Sequence, residues 1–362
     1  MSKRAMVAGF ALVLTACAAP AQPSASATMT VDASPAAMAT ATPPHSAPPS
    51  RAAEPPTWTE VDVVGPPARE DHTWTADGDG RLAYLFGGRD GATVYDDLWT
   101  YDLESDRWTR LDVPPGPAAR FGHEAVWVEG VGLVLFAGQA GSRFYNDLWA
   151  FSPETGTWRQ LPAGGDVPVA RYGTCASVGP DGRLWISHGF TADGSRFADT
   201  RAYDFATESW ADETPDGEAP IERCLHGCWW TDTGELTLYA GQTTGVTALG
   251  DRWLLSGAGW DQLDGALPPE RNLYARARLD GATLVFGGQA SDGGYVADLW
   301  LLVDGEADAV AVEASTPPPP GRAGAEMVRD EARGRVLLFG GRNGQGTQAD
   351  VWELAGYVVT GR

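Results

Sequence analysis

The chain has 362 residues, of which 26 are Lys or Arg and 48 are Asp or Glu, so its formal net charge at pH 7 is −22. Nucleic acid would repel so acidic a chain, which excludes nucleic-acid binding as a first expectation. Lys3 is the only lysine, which excludes Schiff-base chemistry and a P-loop phosphate site. The 45 glycines, 26 prolines and 15 tryptophans favour many short strands joined by tight turns.

Residues 1–16 predict a lipoprotein signal peptide. Lys3 and Arg4 precede an apolar run over residues 5–16 that is too short to span a bilayer. The run ends in the letters LTAC, which resemble a bacterial lipobox and imply a lipid on Cys17. An ordinary signal peptide with a chance cysteine is the alternative. We therefore expect a protein anchored to the membrane through Cys17 in the bacterial cell envelope, most simply in the outer membrane, facing the periplasm or the cell surface.

Residues 17–56 consist almost entirely of Ala, Pro, Ser and Thr. Such a segment has too few large apolar side chains to offset the entropy lost on folding. We expect a disordered tether that holds the folded domain away from the membrane.

One pattern recurs six times between Thr57 and Leu354, which predicts a repeat architecture. Each unit has an apolar strand that ends in a glycine pair or a variant of it: LFGG, LFAG, ISHG, LYAG, VFGG and LFGG. Roughly ten residues later comes an aspartate, usually followed two positions on by tryptophan. These aspartates are Asp97, Asp147, Asp199, Asp251, Asp298 and Asp350. The third unit departs from the pattern, because Arg201 stands where the others have tryptophan.

These segments resemble the kelch motif. The resemblance implies an all-β fold, a six-bladed kelch-type β-propeller over residues 57–357, followed by a tail of residues 358–362. One four-stranded unit cannot bury both faces of its sheet, whereas units stacked around an axis bury one another. The sixth unit lacks its second tryptophan, and Trp58 precedes the first unit. An N-terminal strand should therefore complete the last blade and close the ring.

Arginines are predicted to gather at one end of the ring. With the strands of each blade labelled a to d from the inside, the antiparallel order places the d–a and b–c connections at the same end. An arginine begins strand a in every unit: Arg69, Arg120, Arg171, Arg223, Arg271 and Arg322. These guanidinium groups could capture carboxylates or sulfates at the channel mouth. Alternatively, each bonds a neighbouring blade and pairs with the aspartate that begins strand c. Because the set repeats in every blade, we favour this structural role.

The b–c loops carry a less regular set of arginines and aromatic residues, which are types that often anchor interfaces. We predict that a binding surface is formed by Arg89, Tyr95, Arg143, Phe144, Tyr145, Arg196, Phe197, Tyr295 and Arg342.

Three histidines occupy one repeat position. His72, His123 and His226 each follow the repeat arginine by three residues, so we expect them to have a structural role on the inner strands. His188 replaces a motif glycine.

The cysteines of the third and fourth units leave three interpretations open. A disulfide between blades, from Cys175 to Cys224 or Cys228, is the most economical in an oxidising envelope. Free buried thiols are the second interpretation. A metal site formed by Cys224, His226 and Cys228 is the weakest, because the ends of such a strand segment are too far apart to share one ion.

No nucleophile, zinc or paired-carboxylate motif is recognisable in the sequence. Some members of the kelch family are enzymes, but we predict no catalytic residue and no cofactor here. We expect a monomeric, lipid-anchored, non-catalytic module that binds a protein or an acidic glycan on its b–c and d–a loops. The alternative is a carbohydrate-active enzyme, epimerase- or lyase-like, acting on acidic sugars.

Overall fold

A computed structural model describes residues 55–356, and these residues form 29 strands and one 3-10 turn at Thr244–Val246. The predicted signal peptide, the lipidation site at Cys17, nearly all of the tether and the C-terminal tail lie outside the described residues. Within the described range, no helix is long and apolar enough to cross a membrane.

Six antiparallel four-stranded sheets form the blades of a β-propeller, as the repeats predict. The innermost strands, a, are Thr73–Ala76, Phe121–Val128, Cys175–Val178, Gly227–Trp230, Ala275–Leu279 and Ala323–Asp330. Strands b are Leu82–Phe86, Gly132–Ala140, Leu184–Phe190, Leu236–Gln242, Ala282–Phe286 and Arg335–Asn343. Strands c are Leu98–Asp102, Leu148–Ser152, Arg196–Asp204, Ala248–Ser256, Leu299–Val303 and Val351–Ala355. Strands d are Arg107–Leu111, Thr157–Gln160, Ser209–Asp212, Gly259–Leu263, Ala309–Ala311 and, in the sixth blade, Thr57–Val61.

Five two-residue strands decorate the connections: Arg89–Asp90, Thr93–Val94, Arg143–Phe144, Gly164–Gly165 and Gly346–Thr347. The d–a and b–c connections share one end of the ring, which we call the loop end. Backbone bonds between them show this directly, since Arg120 N donates to Tyr95 O and Arg171 N donates to Tyr145 O. The opposite end, with the a–b and c–d turns, is the turn end.

The sixth blade combines the first and last strands of the described range. Thr57–Val61 pairs antiparallel with Val351–Ala355, with Trp58 opposite Leu354. The side chain of Arg335 then ties this blade to the first, because its Nη2 donates to Leu103 O at 2.8 Å. Strand pairing within the sixth blade and a hydrogen bond from it to the first blade therefore close the ring.

The core lies in the wedges between blades. In four blades the phenylalanine that precedes the glycine pair or its variant packs on the tryptophan of strand d in the next blade. The ring pairs are Phe86–Trp158, Phe136–Trp210, Phe339–Trp108 and Phe286–Trp58, with centroids 5.0–5.4 Å apart. Burial of such large apolar surfaces is what stabilises blade against blade. Trp58 thus does for the sixth blade what the second tryptophan of the repeat does in the first three.

Candidate functional site

The six repeat arginines are fully buried and share one set of partners. In the second blade, Arg120 donates to both carboxylate oxygens of Asp147, at 2.7 and 3.0 Å, and its Nη1 also donates to Ala137 O at 3.0 Å. Its Nε donates to Ala118 O. The same bidentate pairs are Arg69–Asp97, Arg171–Asp199, Arg223–Asp251, Arg271–Asp298 and Arg322–Asp350. With every guanidinium nitrogen bonded inside its own blade, this set offers no free edge to a ligand.

The first residue of each glycine pair supplies a carbonyl to this network. Ala137 and its equivalents have positive φ, between 59° and 70°, which turns the carbonyl towards the arginine. This geometry favours glycine. Ala137, His188 and Ala240 adopt it nonetheless.

Three of the predicted aromatic contact residues stack on these buried arginines. Tyr95, Tyr145 and Phe197 stack on the repeat arginine of their own blades, with the guanidinium carbon 4.1–4.2 Å from the ring centroid. Tyr145 is buried, whereas Tyr95 and Phe197 are partly buried. One ring face of each is thus occupied, and only part of the side chain reaches the surface of the loop end.

Two of the predicted loop arginines are held by an acidic pair that the sequence analysis did not single out. Arg89 forms ion pairs with Glu70 at 3.1 Å and Asp71 at 3.3 Å, and Arg342 forms one with Glu70 at 3.1 Å. The pKa values of both carboxyls are raised, first by burial, although Arg89 opposes the shift. Tyr172 donates its hydroxyl to Asp71 at 3.2 Å. This cluster connects the first blade to the third and sixth blades.

The remaining loop residues differ in exposure. Arg143 is exposed and lies 5.0 Å over Tyr145. Arg196 is partly buried, 5.9 Å over the ring of Phe190. Phe144 packs edge-on against the same Phe190 ring. The structure therefore gathers Arg143, Phe144 and Arg196 around the second and third blades.

The last predicted contact, Tyr295, lies elsewhere on the loop end. It is partly buried, and its ring lies 5.9 Å below the guanidinium of Arg342. Arg342 thus links Tyr295 to the acidic pair. Tyr172, which bonds Asp71, packs on Phe190 and so links that pair to the residues of the second and third blades.

A ring of six backbone hydrogen bonds constricts the channel near the loop end. Each bond joins the residues that lie two positions after the repeat arginines of neighbouring blades. The backbone N–H of one residue donates to the carbonyl of its equivalent in the preceding blade, with N–O distances of 2.8–3.2 Å. All six residues have positive φ, between 52° and 67°. They are Asp71, Gly122, Gly173, Leu225, Leu273 and Gly324. This ring separates the loop end from the channel.

The repeat histidines lie beside this ring and are buried. His72 is 1% exposed and packs edge-on against Phe339, and His123 packs in the same way against Phe86. Burial lowers the pKa of His72, His123 and His226 well below its ordinary value, so these rings are neutral at pH 7. His188 is fully buried, and burial lowers its pKa to about 3.

A disulfide joins Cys175 on the third blade to Cys228 on the fourth, and Cys224 is a free buried thiol. The metal interpretation of Cys224, His226 and Cys228 is wrong, because the sulfur of Cys228 is bonded to Cys175. The strand also begins only at Gly227, and Leu225 has a φ of 58°, so the three side chains do not share one strand face. Among residues 55–356 no group of three or more His, Cys, Asp or Glu side chains is placed to hold a metal.

The channel contains a charged group that the sequence analysis missed. Arg276, on strand a of the fifth blade, points across the channel and donates to Glu124 of the opposite second blade at 3.4 Å. Glu326 of the sixth blade lies beside them, and all three line a cavity of about 430 Å³ on the turn-end side. The available signal was irregularity. The position of Glu124 and Glu326 is occupied in other blades by residues such as Thr73 and Ala275, and that of Arg276 by residues such as Ala125 and Met327.

The fold and the comparison with known proteins agree. The six blades define a β-propeller with six repeats. A family model described as the KLHDC2/KLHL20/DRC7 Kelch-repeats domain matches residues 53–241, just over half of the chain. The chain therefore belongs to the kelch-repeat β-propeller family.

One curated protein shares part of this sequence. Over 137 residues, the chain is 31% identical to tRNA wybutosine-synthesizing protein 4 of Emericella nidulans. The match covers 34% of this chain and 12% of that protein, so the chain corresponds to a small part of the relative's length.

Proposed function

We propose that the chain is a lipid-anchored protein of the bacterial cell envelope whose propeller is a non-catalytic, monomeric module that binds a protein partner through its loop end. The kelch fold is consistent with a binding module. The anchor rests on the lipobox-like segment ending at Cys17, which lies outside the described residues.

The distribution of exposed apolar side chains carries this proposal. Six large hydrophobic side chains are exposed in the described part of the chain, and five of them lie on connections of the loop end. They are Val64, Val167, Val169, Ile221 and Val246, between 38% and 95% exposed. The sixth, Val310, lies on the outer strand of the fifth blade. Apolar residues concentrated on one end are typical of an interaction surface.

Connections of neighbouring blades hold this surface together. Thr243 Oγ1 donates to Glu222 O at 2.9 Å, which joins the loop of Val246 to that of Ile221. Asn146 Nδ2 donates to Pro168 O at 3.0 Å, which fixes the segment carrying Val167 and Val169. Preorganised loops lose little entropy on binding.

The loop-end charges favour a protein over an acidic glycan as the ligand. The repeat arginines are buried in pairs with aspartates, and Arg89 and Arg342 are engaged by Glu70 and Asp71. Of the four b–c loop arginines, Arg143 alone is exposed, and the others are partly buried. Capture of a polyanion would need several free guanidinium groups on one surface.

The interface is tested by site-specific photo-crosslinking of the full chain in its own envelope. A photoreactive phenylalanine analogue replaces Val246 in one variant. In the control variant it replaces Val310, which is also exposed. We expect one discrete protein adduct from position 246 and none from 310. Introducing Ile221→Asp beside the analogue should abolish the adduct at an unchanged Tm. Equal adducts from both positions would contradict the proposal.

The glycan alternative has a separate readout. Binding of a sulfated or uronic oligosaccharide should depend on Arg143 and Arg196, and Ile221→Asp should leave it intact.

For the anchor, Cys17→Ser should move the protein from the membrane to the soluble fraction and remove the lipid mass from its N-terminus. A membrane-bound Cys17→Ser variant would refute the lipid anchor alone.

A further inference from the structure

We propose that the turn-end cavity is a binding site for a small organic molecule with a single ammonium group, held by the carboxylates of Glu124 and Glu326. The site is separate from the loop end, so this proposal does not depend on the protein-binding surface.

The cavity has the size of a small-molecule site. Its volume of about 430 Å³ lies within the usual range for ligand pockets. Trp74, Trp127 and Trp229 contribute apolar wall, and a few polar groups converge at the inner end. The backbone ring near the loop end constricts the channel behind that inner end, so the cavity is entered from the turn end.

The inner end has more carboxyl groups than guanidinium groups. Glu124 and Glu326 face one guanidinium, Arg276, which bonds Glu124 at 3.4 Å. The other two arginines of the cavity wall already have carboxylate partners. Arg278 pairs with Asp232 and Asp304, and Arg329 pairs with Asp280. One carboxyl therefore has no cation of its own.

Glu326 is the carboxyl that lacks a partner. Burial raises its pKa to about 8; Arg276 opposes this shift, while the negative charges of Glu124 and Asp71 add to it. Burial also raises the pKa of Glu124. The neighbouring His72 and His226 are neutral at pH 7, because burial lowers their pKa, and cannot supply the positive charge that an ionised Glu326 would require. A bound ammonium group can.

Buried polar atoms in the same channel also lack partners. Thr283 lines the cavity, is 1% exposed, and its Oγ1 makes no hydrogen bond. His72, 1% exposed, lines a smaller chamber of about 60 Å³ beyond the charged group, and neither of its ring nitrogens has a partner. A buried polar group without a hydrogen bond is costly. A polar ligand would supply the partner for Thr283.

An organic monocation fits this site better than a metal ion. In the described range no three acidic, histidine or cysteine side chains converge as metal ligands, and Arg276 would repel a divalent ion between the two carboxylates. The indole side chains of the wall instead suit a ligand with an apolar body. The net charge of −22 favours the approach of a cation.

The test compares amines with their hydroxyl analogues. The full chain in detergent is titrated calorimetrically at pH 7 with tyramine and with 4-(2-hydroxyethyl)phenol, and with glucosamine and glucose. We expect at least one amine to bind at least tenfold more tightly than its neutral analogue. Because Glu326 must ionise, binding should release close to one proton, measured in two buffers of different ionisation enthalpy, and should tighten from pH 6 to pH 8.

Substitutions locate the site. Glu326→Gln should weaken amine binding at least tenfold and abolish proton release, whereas Glu60→Gln, at an exposed position of the same blade, should change neither. Glu124→Gln is a second variant, and circular dichroism confirms folding of each. The proposal is overturned if neither amine binds, if amines and hydroxyl analogues bind equally, if calcium displaces the amine, or if Glu326→Gln binds as well as the wild type.

Discussion

Arg201 donates from Nε to Asp199 Oδ2 at 3.1 Å, in the place that a tryptophan indole occupies in the other five blades. There the indole nitrogens donate to the aspartate at 2.7–2.8 Å, from Trp99, Trp149, Trp253, Trp300 and Trp352. Asp199 also accepts two bonds from Arg171, so its carboxylate keeps three donors. The third blade thus changes the residue type and preserves the hydrogen bonds that a partly buried carboxylate requires.

The first prediction concerns this network. Arg120→Ala should lower the free energy of unfolding by about 3–5 kcal/mol, because it leaves Asp147 and the carbonyl of Ala137 without their donors. Arg143→Ala in the same blade removes an exposed guanidinium and should change it by no more than about 0.5 kcal/mol. Urea unfolding of both variants measures the difference. Equal losses would mean that the buried pair adds nothing beyond side-chain packing.

The acid limb of the stability profile follows from the same aspartates. Burial raises the pKa of Asp147, but the hydrogen bonds and charge of Arg120 outweigh burial and hold that pKa below the ordinary 3.8. The pKa values of Asp97, Asp199, Asp251, Asp298 and Asp350 are lowered in the same way. A carboxyl whose pKa is lower in the folded state stabilises above its unfolded pKa, and this contribution is lost as pH falls through the folded value.

We therefore expect the unfolding free energy to fall steeply below about pH 4. The measurement is urea unfolding at a series of pH values. Asp147→Asn should be less stable at neutral pH and should show a shallower acid limb. A variant limb parallel to that of the wild type would show that Asp147 is not among the groups responsible.

The ionisation of Glu326 should lower the stability of the folded protein as pH rises, in contrast to that of the repeat aspartates. Its pKa is about 8 in the folded state because burial disfavours the carboxylate, against an ordinary value of 4.5. Between these values the unfolded chain has lost the proton that the folded chain retains, so stability falls as pH rises from about 5 to about 8. Relative to Glu326→Gln, the wild type should lose stability over that interval, followed by Tm in matched buffers. Glu60→Gln is the control, and a constant difference across the interval would refute the assignment.

The backbone ring near the loop end gives a steric prediction with a matched control. Gly122 has a φ of 58°, and a Cβ placed there would lie 1.8 Å from a ring carbon of Tyr172. Gly130 has a φ of 72°, but a Cβ there meets nothing within 4 Å. Both alanine variants carry the strain of a left-handed conformation. Gly122→Ala should therefore lose about 2 kcal/mol more than Gly130→Ala in urea unfolding, and similar losses would mean that Tyr172 moves aside freely.

Repetition explains what could be predicted from the sequence. The number of blades follows from six glycine-ended strands and six aspartates, and the pairing of Trp58 in the sixth blade follows from the tryptophan missing at the C-terminal end. The repeat arginines were also interpretable, because a residue present in every blade is expected to serve the fold.

Two features could not be predicted from the repeats, namely the charged residues in the channel and the acidic pair at the loop end. Arg276 and Glu124 are 152 positions apart and meet only because the fifth and second blades face each other across the ring. Glu70 and Asp71 follow a repeat arginine, but the sequence does not reveal which loop arginine bends towards them. Contacts across the axis depend on side-chain direction, which the repeat does not encode.

The disulfide between Cys175 and Cys228 closes a segment with a sequence separation of 53 residues between two neighbouring blades. Cross-linking a loop of that length removes unfolded-state entropy worth about 4 kcal/mol. The double variant Cys175→Ala/Cys228→Ala, or full reduction, should therefore lower the unfolding free energy by an amount of this order. Cys224→Ala breaks no covalent bond and should cost about 1 kcal/mol.

Thiol labelling provides the second measurement for this bond. Cys224 is 1% exposed and burial raises the pKa of its thiol, so it should react with maleimide only after urea unfolding. Unfolding without reductant should expose one reactive thiol in the propeller, and unfolding with reductant should expose three, because the Cys175–Cys228 bond then opens. Three reactive thiols without reductant would show that the bond does not form, and the two blades would then be joined by side-chain packing alone.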